Sequence, residues 1–438
     1  MNQDNVPSSL KSNPYIRIDG KVLICGGPGH RHRAFPTGVR LPNGDVLVGY
    51  RVARDHWMTA DDAFYTARSS DNGRTWQTPV AVAALPGWGV NGVIGQYPDG
   101  VMPADEPVLR AALQLYRWDE ELPADKTWRE NPVYWIFSND YGDTWGKMVK
   151  VHDTIAEVET DRGKRRFWGL WLHSNESTLH RLSDGRLMGL FVGRSDLMCY
   201  NPSTTYESPS DTPMAGFSTD NGITWTFRTI AHPADGIGFS ESDSVRLPSG
   251  RIVAIYGNNV GSPCFFETHS NDEGQTWSPM RQLNFRGDSP SMIRLASGAL
   301  LAAIRSRPEN GTLGIGLVAS ADEGQSWELL GNIHDQTNWD MGYPDLIKLA
   351  SGQILCVYYT GNQRQPIPKA LEEKLAAIEP IRTIFKGNIR PAAFGEIQSE
   401  IRGAILDDIS VDRFSAPDNE TSVSTENTAP DDHGTIDL

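Results

Sequence analysis

The 438-residue chain has little cysteine, little cationic charge and no long apolar run. Each scarcity excludes something. Only four cysteines occur, Cys25, Cys199, Cys264 and Cys356, and none has C-x-x-C spacing. That sets aside a zinc site or a redox pair. Cys25, Cys264 and Cys356 lie in the strand-like runs KVLIC, SPCFF and QILCVYY, and read as small buried hydrophobes in a reducing compartment. Lys and Arg number 40 against 55 Asp and Glu, a net charge of −15. A nucleic-acid partner needs a basic face, so none is expected. No run approaches the length of a membrane span. The opening MNQDNVPSSLKSNPYIRIDG has no basic-then-apolar segment, so no secretory signal is read there. The expected compartment is the cytoplasm by default, with secretion left open.

What the chain has in quantity is turn residues and aromatics. There are 42 Gly, 28 Pro, 13 Trp and 13 Tyr, in a chain only 39% hydrophobic. That mix suits many short strands joined by tight turns and argues against a helical bundle. An S-x-D-x-G-x-[T/S]-W phrase occurs five times: SSDNGRTW at 69–76, SNDYGDTW at 138–145, STDNGITW at 218–225, SNDEGQTW at 270–277 and SADEGQSW at 320–327. Its carboxylates are Asp71, Asp140, Asp220, Asp272 and Asp322. Each can accept bonds from nearby backbone N–H groups and from the Ser or Thr hydroxyl, closing a hairpin turn. Gly supplies the positive φ, and Trp packs back between neighbouring sheets. The last two intervals, 52 and 50 residues, look like the bare repeat, and the longer earlier ones imply loop insertions.

A second phrase recurs ahead of the first. It reads VRLPNGDVLVGYR from Val39, HRLSDGRLMGLFVGR from His180, VRLPSGRIVAIYG from Val245, IRLASGALLAAIRSR from Ile293 and IKLASGQILCVYYT from Ile347. Each is strand, Gly turn, strand. The repeat unit is therefore four antiparallel strands in about 50 residues, the size of a propeller blade. The expectation is an all-β, six-bladed β-propeller over 14–410. Its blades fall near 33–84, 88–155, 166–232, 236–284, 285–335 and 340–410. The strand-like YIRIDGKVLICGG completes the last blade and closes the ring. Residues 368–381 read as a short amphipathic helix, and 411–438 as a disordered polar tail.

Blade topology points to one mouth of the central channel. The innermost strand starts at that mouth and the second strand returns to it. Residues flanking these points are His32, Arg33, Arg51, Arg54, Asp55 and His56 in blade one, and Arg117 with Trp118 in blade two. Blade three offers Asn175, Glu176 and Arg194, and blade four Glu241, Asn258 and Asn259. Blade five offers Asp288, Arg305 and Arg307, and blade six Asp340, Tyr343 and Tyr359. A mouth with Arg, carboxylates and Tyr suits a polar or anionic ligand, and offers paired acids for glycosyl chemistry.

The five turns on four-stranded units resemble the Asp-box repeats of sialidases, whose fold is a six-bladed propeller. The resemblance covers roughly residues 20–410. It implies a retaining exo-glycosidase acting on terminal sialic acid or a related acidic sugar, with no cofactor and no metal. The family's nucleophile opens the last blade, and GYPDLIKLASGQILCVYY makes Tyr343 its match. Its base is a Glu two blades earlier: Glu241 in FSESDSVRLPSG, with Glu176 in SNESTLHRLSDG as rival. The acid/base Asp corresponds to Asp55 in RVARDHW, with Asp61 and Asp62 competing. The Arg of the family's Arg-Ile-Pro phrase corresponds to Arg33 in Arg33-Ala34-Phe35-Pro36, with one extra residue. Arg305, Arg307 and Arg194 are candidates to complete its anion clamp, and Arg51 and Asp288 line the same mouth. The chain departs from the pattern at Asn258-Asn259, where the family has an Arg. Two other readings stand beside this one: a non-hydrolytic propeller that binds glycans or a protein, and a hydrolase or lyase on another acidic sugar.

Overall fold

The computed structural model describes residues 17–26, 32–53, 56, 62–106, 108–117, 133–152, 155–160, 162–171, 178–201, 206–258, 260–336, 340–363 and 397–407. Residues 14–16, 368–381 and 411–438, whose conformations were read from sequence, lie outside them. So do Arg54, Asp55, Asp61, Trp118, Asn175, Glu176 and Asn259.

Among the described residues the chain is built of antiparallel strands. A first strand β1 (Ile18–Cys25) is followed by a sheet β2 (His32–Arg40), β3 (Val46–Ala53), β4 (Ala63–Ser69) and β5 (Val80–Ala84) in sequence order. The next sheet is β6 (Trp88–Ile94), β7 (Leu109–Arg117), β8 (Val133–Ser138) and β9 (Val149–His152). The third holds β10 (Ile155–Thr160), β11 (Gly163–Trp171), β12 (Leu179–Arg181), β13 (Leu187–Asn201), β14 (Tyr206–Ser218) and β15 (Thr226–Thr229). A seven-stranded sheet runs through β16 (Phe239–Arg246), β17 (Ile252–Asn258), β18 (Cys264–Ser270), β19 (Arg281–Arg294), β20 (Leu300–Ser306), β21 (Leu313–Ser320) and β22 (Glu328–Gln336). The last sheet takes β23 (Met341–Lys348), β24 (Ile354–Gln363) and β25 (Ile397–Leu406), and β1 adds to its outer edge against β25.

Two boundaries differ from the sequence reading. The hairpin β10–β11 precedes the inner strand of the third sheet and pairs with β13, so that sheet has more strands than a bare repeat. Its turn carries Gly163 at φ 85° but lacks the Leu-x-x-Gly phrase that marked the other hairpins. The expected break at 284/285 is also absent. β19 pairs with β18 through its first half and with β20 through its second, so one strand serves two repeats.

Cores form where sheets face each other. Leu41, Leu47 and Phe64 of the first sheet pack with Val90, Ile94 and Leu113 of the second. Val48 and Tyr50 pack with Leu355, Val357 and Ile401 of the last. At one end of the sheets, hydrogen bonds pass between the first strands of successive repeats. Gly38 N–H on β2 donates to Asp345 Oδ2 on β23 (2.6 Å), and Ser291 Oγ on β19 donates to Asp345 Oδ1 (2.9 Å). Met292 N–H donates to Asp243 Oδ2 on β16 (2.7 Å), and Thr178, just before β12, bonds Asp243 Oδ1. Leu179 N–H reaches the carbonyl of Gln96 after β6 (3.0 Å), and Ile94 N–H on β6 returns to Thr37 Oγ1 on β2 (2.9 Å). Burial pushes the carboxyl of Asp243 up to about 8 and that of Asp345 up to about 6.

The repeated turn folds as its residues suggest. In the turn at 270–277, Ser270 Oγ donates to Asp272 Oδ1 (2.7 Å), which also accepts Thr276 N–H (2.8 Å), while Thr276 Oγ1 donates to Asp272 Oδ2 (2.6 Å). The same bonds recur at Asp71, Asp140, Asp220 and Asp322. The Trp residues pack into the inter-sheet cores: Trp76 between the first and last sheets, Trp145 between the first and second, Trp277 against residues of the third. Cys199, Cys264 and Cys356 are buried, Cys25 is half-buried, and all four are free thiols. No described helix is long and apolar enough to cross a membrane.

Candidate active site

Four strands carry the same irregularity a few residues before the repeated phrase. The ladder slips between Ala34 and Thr37 on β2, Ser240 and Ser242 on β16, Asp288 and Ser291 on β19, and Gly342 and Asp345 on β23. At each slip one non-glycine residue has positive φ: Phe35 (57°), Glu241 (50°), Ser289 (52°) and Tyr343 (46°). Such backbones cost on the order of 1–3 kcal/mol each and persist only where surroundings fix them. The bulge re-aims its side chain out of the strand's alternation. Here it gathers residues from separate repeats at one place.

Tyr343 Oη hydrogen-bonds Glu241 Oε1. Glu241 Oε2 also accepts from Ser289 Oγ (2.6 Å), and Arg305 Nη2 lies 3.5 Å from it. Asp288 and Arg305 stand directly opposite across β19 and β20, and Arg305 Nε pairs with Asp288 Oδ1. Arg307 Nε lies 2.9 Å from Asp288 Oδ2. The Arg305 guanidinium sits 5.2 Å from the centre of the Tyr343 ring, and Nη1 donates to the Met341 carbonyl (3.2 Å). Gly342, at φ 134°, makes room: a Cβ there would lie 2.7 Å from Arg305 Cδ. Burial, and then Glu241, push the Tyr343 phenol well above its ordinary value, with Arg305 pulling the other way. Burial opposes the charge of Arg305, but Asp288 and then Glu241 hold it well above the usual value. A cavity of about 270 Å³ opens here, lined by Ser240, Glu241, Gly257, Asn258, Gly261, Pro263, Asp288, Arg305 and Arg307.

A second cluster adjoins the first through Phe35, whose ring lies 4.8 Å from that of Tyr343 and 5.4 Å from that of His56. His56 Nδ1 is 2.8 Å from Asp340 Oδ1, His32 Nε2 is 3.1 Å from Asp340 Oδ2, and Tyr359 Oη donates to Asp340 Oδ1 (2.9 Å). Burial works against ionisation of Asp340, yet His32 and His56 hold its carboxyl well below the usual range. Burial lowers the pKa of His32. The three ligand atoms lie within 4.8 Å of one another, a donor set that could take a transition-metal ion. Direct hydrogen bonds already account for their convergence.

The residues singled out from sequence divide accordingly. Tyr343, Glu241, Asp288, Arg305 and Arg307 come together. Arg51 is buried beside them, 5.4 Å from the Phe35 ring centre, donating to the His56 carbonyl (3.0 Å) and 3.4 Å from Asp62. Arg33 pairs across the ladder with Val52, and its N–H and carbonyl both bond Ser399 Oγ (2.6 Å each). Arg194 pairs with Asp211 on the neighbouring strand β14 (2.7 Å). Asn258, standing where an Arg was expected, ties its own loop to the segment before β16. It accepts from Gly238 and Val260 N–H and donates to the Gly236 and Ser262 carbonyls. Asp55 and Glu176 lie outside the described residues. Phe35 and Ser289 had not been singled out, although a signal existed. Each bulge residue stands four positions before Val39, Val245, Ile293 or Ile347 of the repeated phrase, and the same count from His180 reaches Glu176.

The sequence profile of the BNR repeat-like domain matches residues 114–356. No curated protein sequence matches the chain. Among solved structures, a protein of unknown function from Dyadobacter fermentans superposes with TM-score 0.64 at 18% identity, over 90% of this chain and 99% of that one. The intramolecular trans-sialidase of Ruminococcus gnavus gives 0.53 at 14%, over 87% and 95%. The NanB sialidase of Streptococcus pneumoniae gives 0.53 at 13%, over 91% and 71%. At these identities the likeness is one of fold.

Proposed function

The chain belongs to the BNR repeat-like family, and from that premise we propose that it is a retaining exo-glycosidase of the sialidase kind on a six-bladed propeller. The cycle of inner hydrogen bonds from β2 through β23, β19, β16, β12 and β6 back to β2 supports the propeller. One observation carries the activity: the hydrogen bond between Tyr343 Oη and Glu241, two residues set in strained bulges on different inner strands.

A phenol held above its ordinary pKa is a poor nucleophile until its proton has somewhere to go. Glu241 supplies the place. As Tyr343 Oη bonds to the anomeric carbon, its proton passes to Glu241 and the bond to the leaving oxygen breaks. An acid, Asp55 by the family resemblance, protonates that oxygen. Water then attacks the same carbon, gives its proton to the conjugate base, and Glu241 returns the phenol's proton, so configuration is retained. Arg305 stabilises the charge shared by Tyr343 and Glu241.

The test is covalent trapping. A fluorinated glycosyl fluoride that forms the intermediate quickly and releases it slowly should add one glycosyl mass to the peptide containing Tyr343. Labelling of a different residue, or turnover with inverted configuration, would overturn the reading. Binding without turnover would indicate a glycan-binding propeller, and an unsaturated product a lyase.

A further inference from the structure

The pocket beside Tyr343 is charge-balanced before any ligand enters. Its two guanidiniums, Arg305 and Arg307, face two carboxylates, Glu241 and Asp288, and Asp288 takes a bond from both arginines. Among the described lining residues there is no further cation. Asn258 also lines the cavity, and both hydrogens and both lone-pair directions of its amide are used, by Val260 and Ser262 of its own loop and by Gly236 and Gly238 of the segment before β16. The remaining described lining, Ser240, Gly257, Gly261 and Pro263, carries no charge.

A ligand carboxylate can only accept hydrogen bonds. Here it would compete with Asp288 for the same guanidiniums and leave two acceptor-only carboxylates facing a third. A hydroxyl both donates and accepts. Adjacent hydroxyls on a ring can donate to Asp288 and accept from Arg307, satisfying both halves of the pair without breaking it. We infer that the ring accepted in this pocket is an uncharged sugar, read through its hydroxyls by the Asp288–Arg307 pair, and not a sialic or uronic acid. The inference rests on the glycosidase reading for its chemistry and refines its substrate. Tyr343 keeps its role, since Glu241 takes its proton whatever group the anomeric carbon carries.

The experiment uses the full chain and two readouts. Turnover is measured on 4-methylumbelliferyl glycosides of neutral hexoses and deoxyhexoses, of N-acetylneuraminic acid and of glucuronic acid. Binding of the free neutral sugars and of N-acetylneuraminic acid is measured by calorimetry at low and high salt. The expected result is turnover and salt-insensitive binding confined to neutral sugars. Asp288→Asn should weaken the neutral sugar about tenfold or more and let the acidic one bind, because it frees cationic charge. Preference of the unmodified protein for either acidic sugar overturns the inference and leaves the glycosidase reading standing. Absence of all turnover breaks the glycosidase reading instead. Binding then decides the inference, and failure of every neutral sugar to bind overturns it.

Discussion

The outer turns and the inner bulges both put a non-glycine residue at positive φ, yet they are filled in opposite ways. At the outer hairpins, Asn72, Tyr141, Asn221, Glu273 and Glu323 occupy the position, each between the same Asp and the same Gly. At the inner ends the residues are Phe35, Glu241, Ser289 and Tyr343, each different. An outer turn satisfies its own bonds, so one solution serves every repeat. An inner bulge meets side chains from other sheets, so each repeat contributes a different group. Repetition marks scaffold, and departure at equivalent positions marks chemistry.

Asp272 of an outer turn and Asp243 of the inner hydrogen-bond cycle are shifted in opposite directions. Slight burial raises the pKa of Asp272, but the hydroxyl and N–H of Thr276 with the hydroxyl of Ser270 bring it below the usual value. Burial of Asp243 outweighs three hydrogen bonds and carries it up to about 8. Outer carboxylates therefore contribute stability that is lost as pH falls through their lowered pKa. Asp243 contributes stability that is complete below its unfolded value near 3.8 and is lost as pH rises toward about 8.

The comparison can be broken in four ways. The largest effect belongs to Tyr343→Phe. It should cut kcat by about a thousandfold or more with the melting temperature little changed, as steady-state kinetics and thermal melts would show. Retained activity would return Tyr343 to the scaffold. Glu241→Gln should cost on the order of a hundredfold in kcat, because the phenol loses its proton acceptor. A loss seen only in KM would remove Glu241 from the chemistry. Asp243→Asn should flatten the decline in melting temperature between pH 5 and pH 8 without adding a new transition. An unchanged slope would show that the inner ring titrates elsewhere. The smallest effect belongs to Asp272→Ala, expected to cost about 1 kcal/mol in chemical denaturation while leaving activity intact. A large loss of activity there would give the outer turns a role the comparison denies them.

Much of this was legible from residues alone. The five Asp turns and the second repeated phrase gave most of the strand order, because both features are local, and the strand-like first segment does join the last sheet. The turn needs only its own eight residues, and each hairpin only its Gly. The register of those phrases also put Glu241 and Tyr343 at matching places. It did not reveal the pairing of the arginines. Asp288 meets Arg305 through strand register and Arg307 through the turn back from β20. His32, His56 and Asp340 converge from three separated segments.

By itself, then, the sequence determined what short-range forces decide: alternation, turns, repeats and the candidates for the site. Tertiary structure alone decided which charges cancel. Whether an arginine is an open anion clamp or one half of an ion pair depends on what lies within a few ångströms across a strand or from another sheet, and electrostatic interactions fall off over that distance. Asn258 shows the same division. Its identity was visible where an arginine was expected, but only the fold showed its amide spent on its own loop and on the segment before β16.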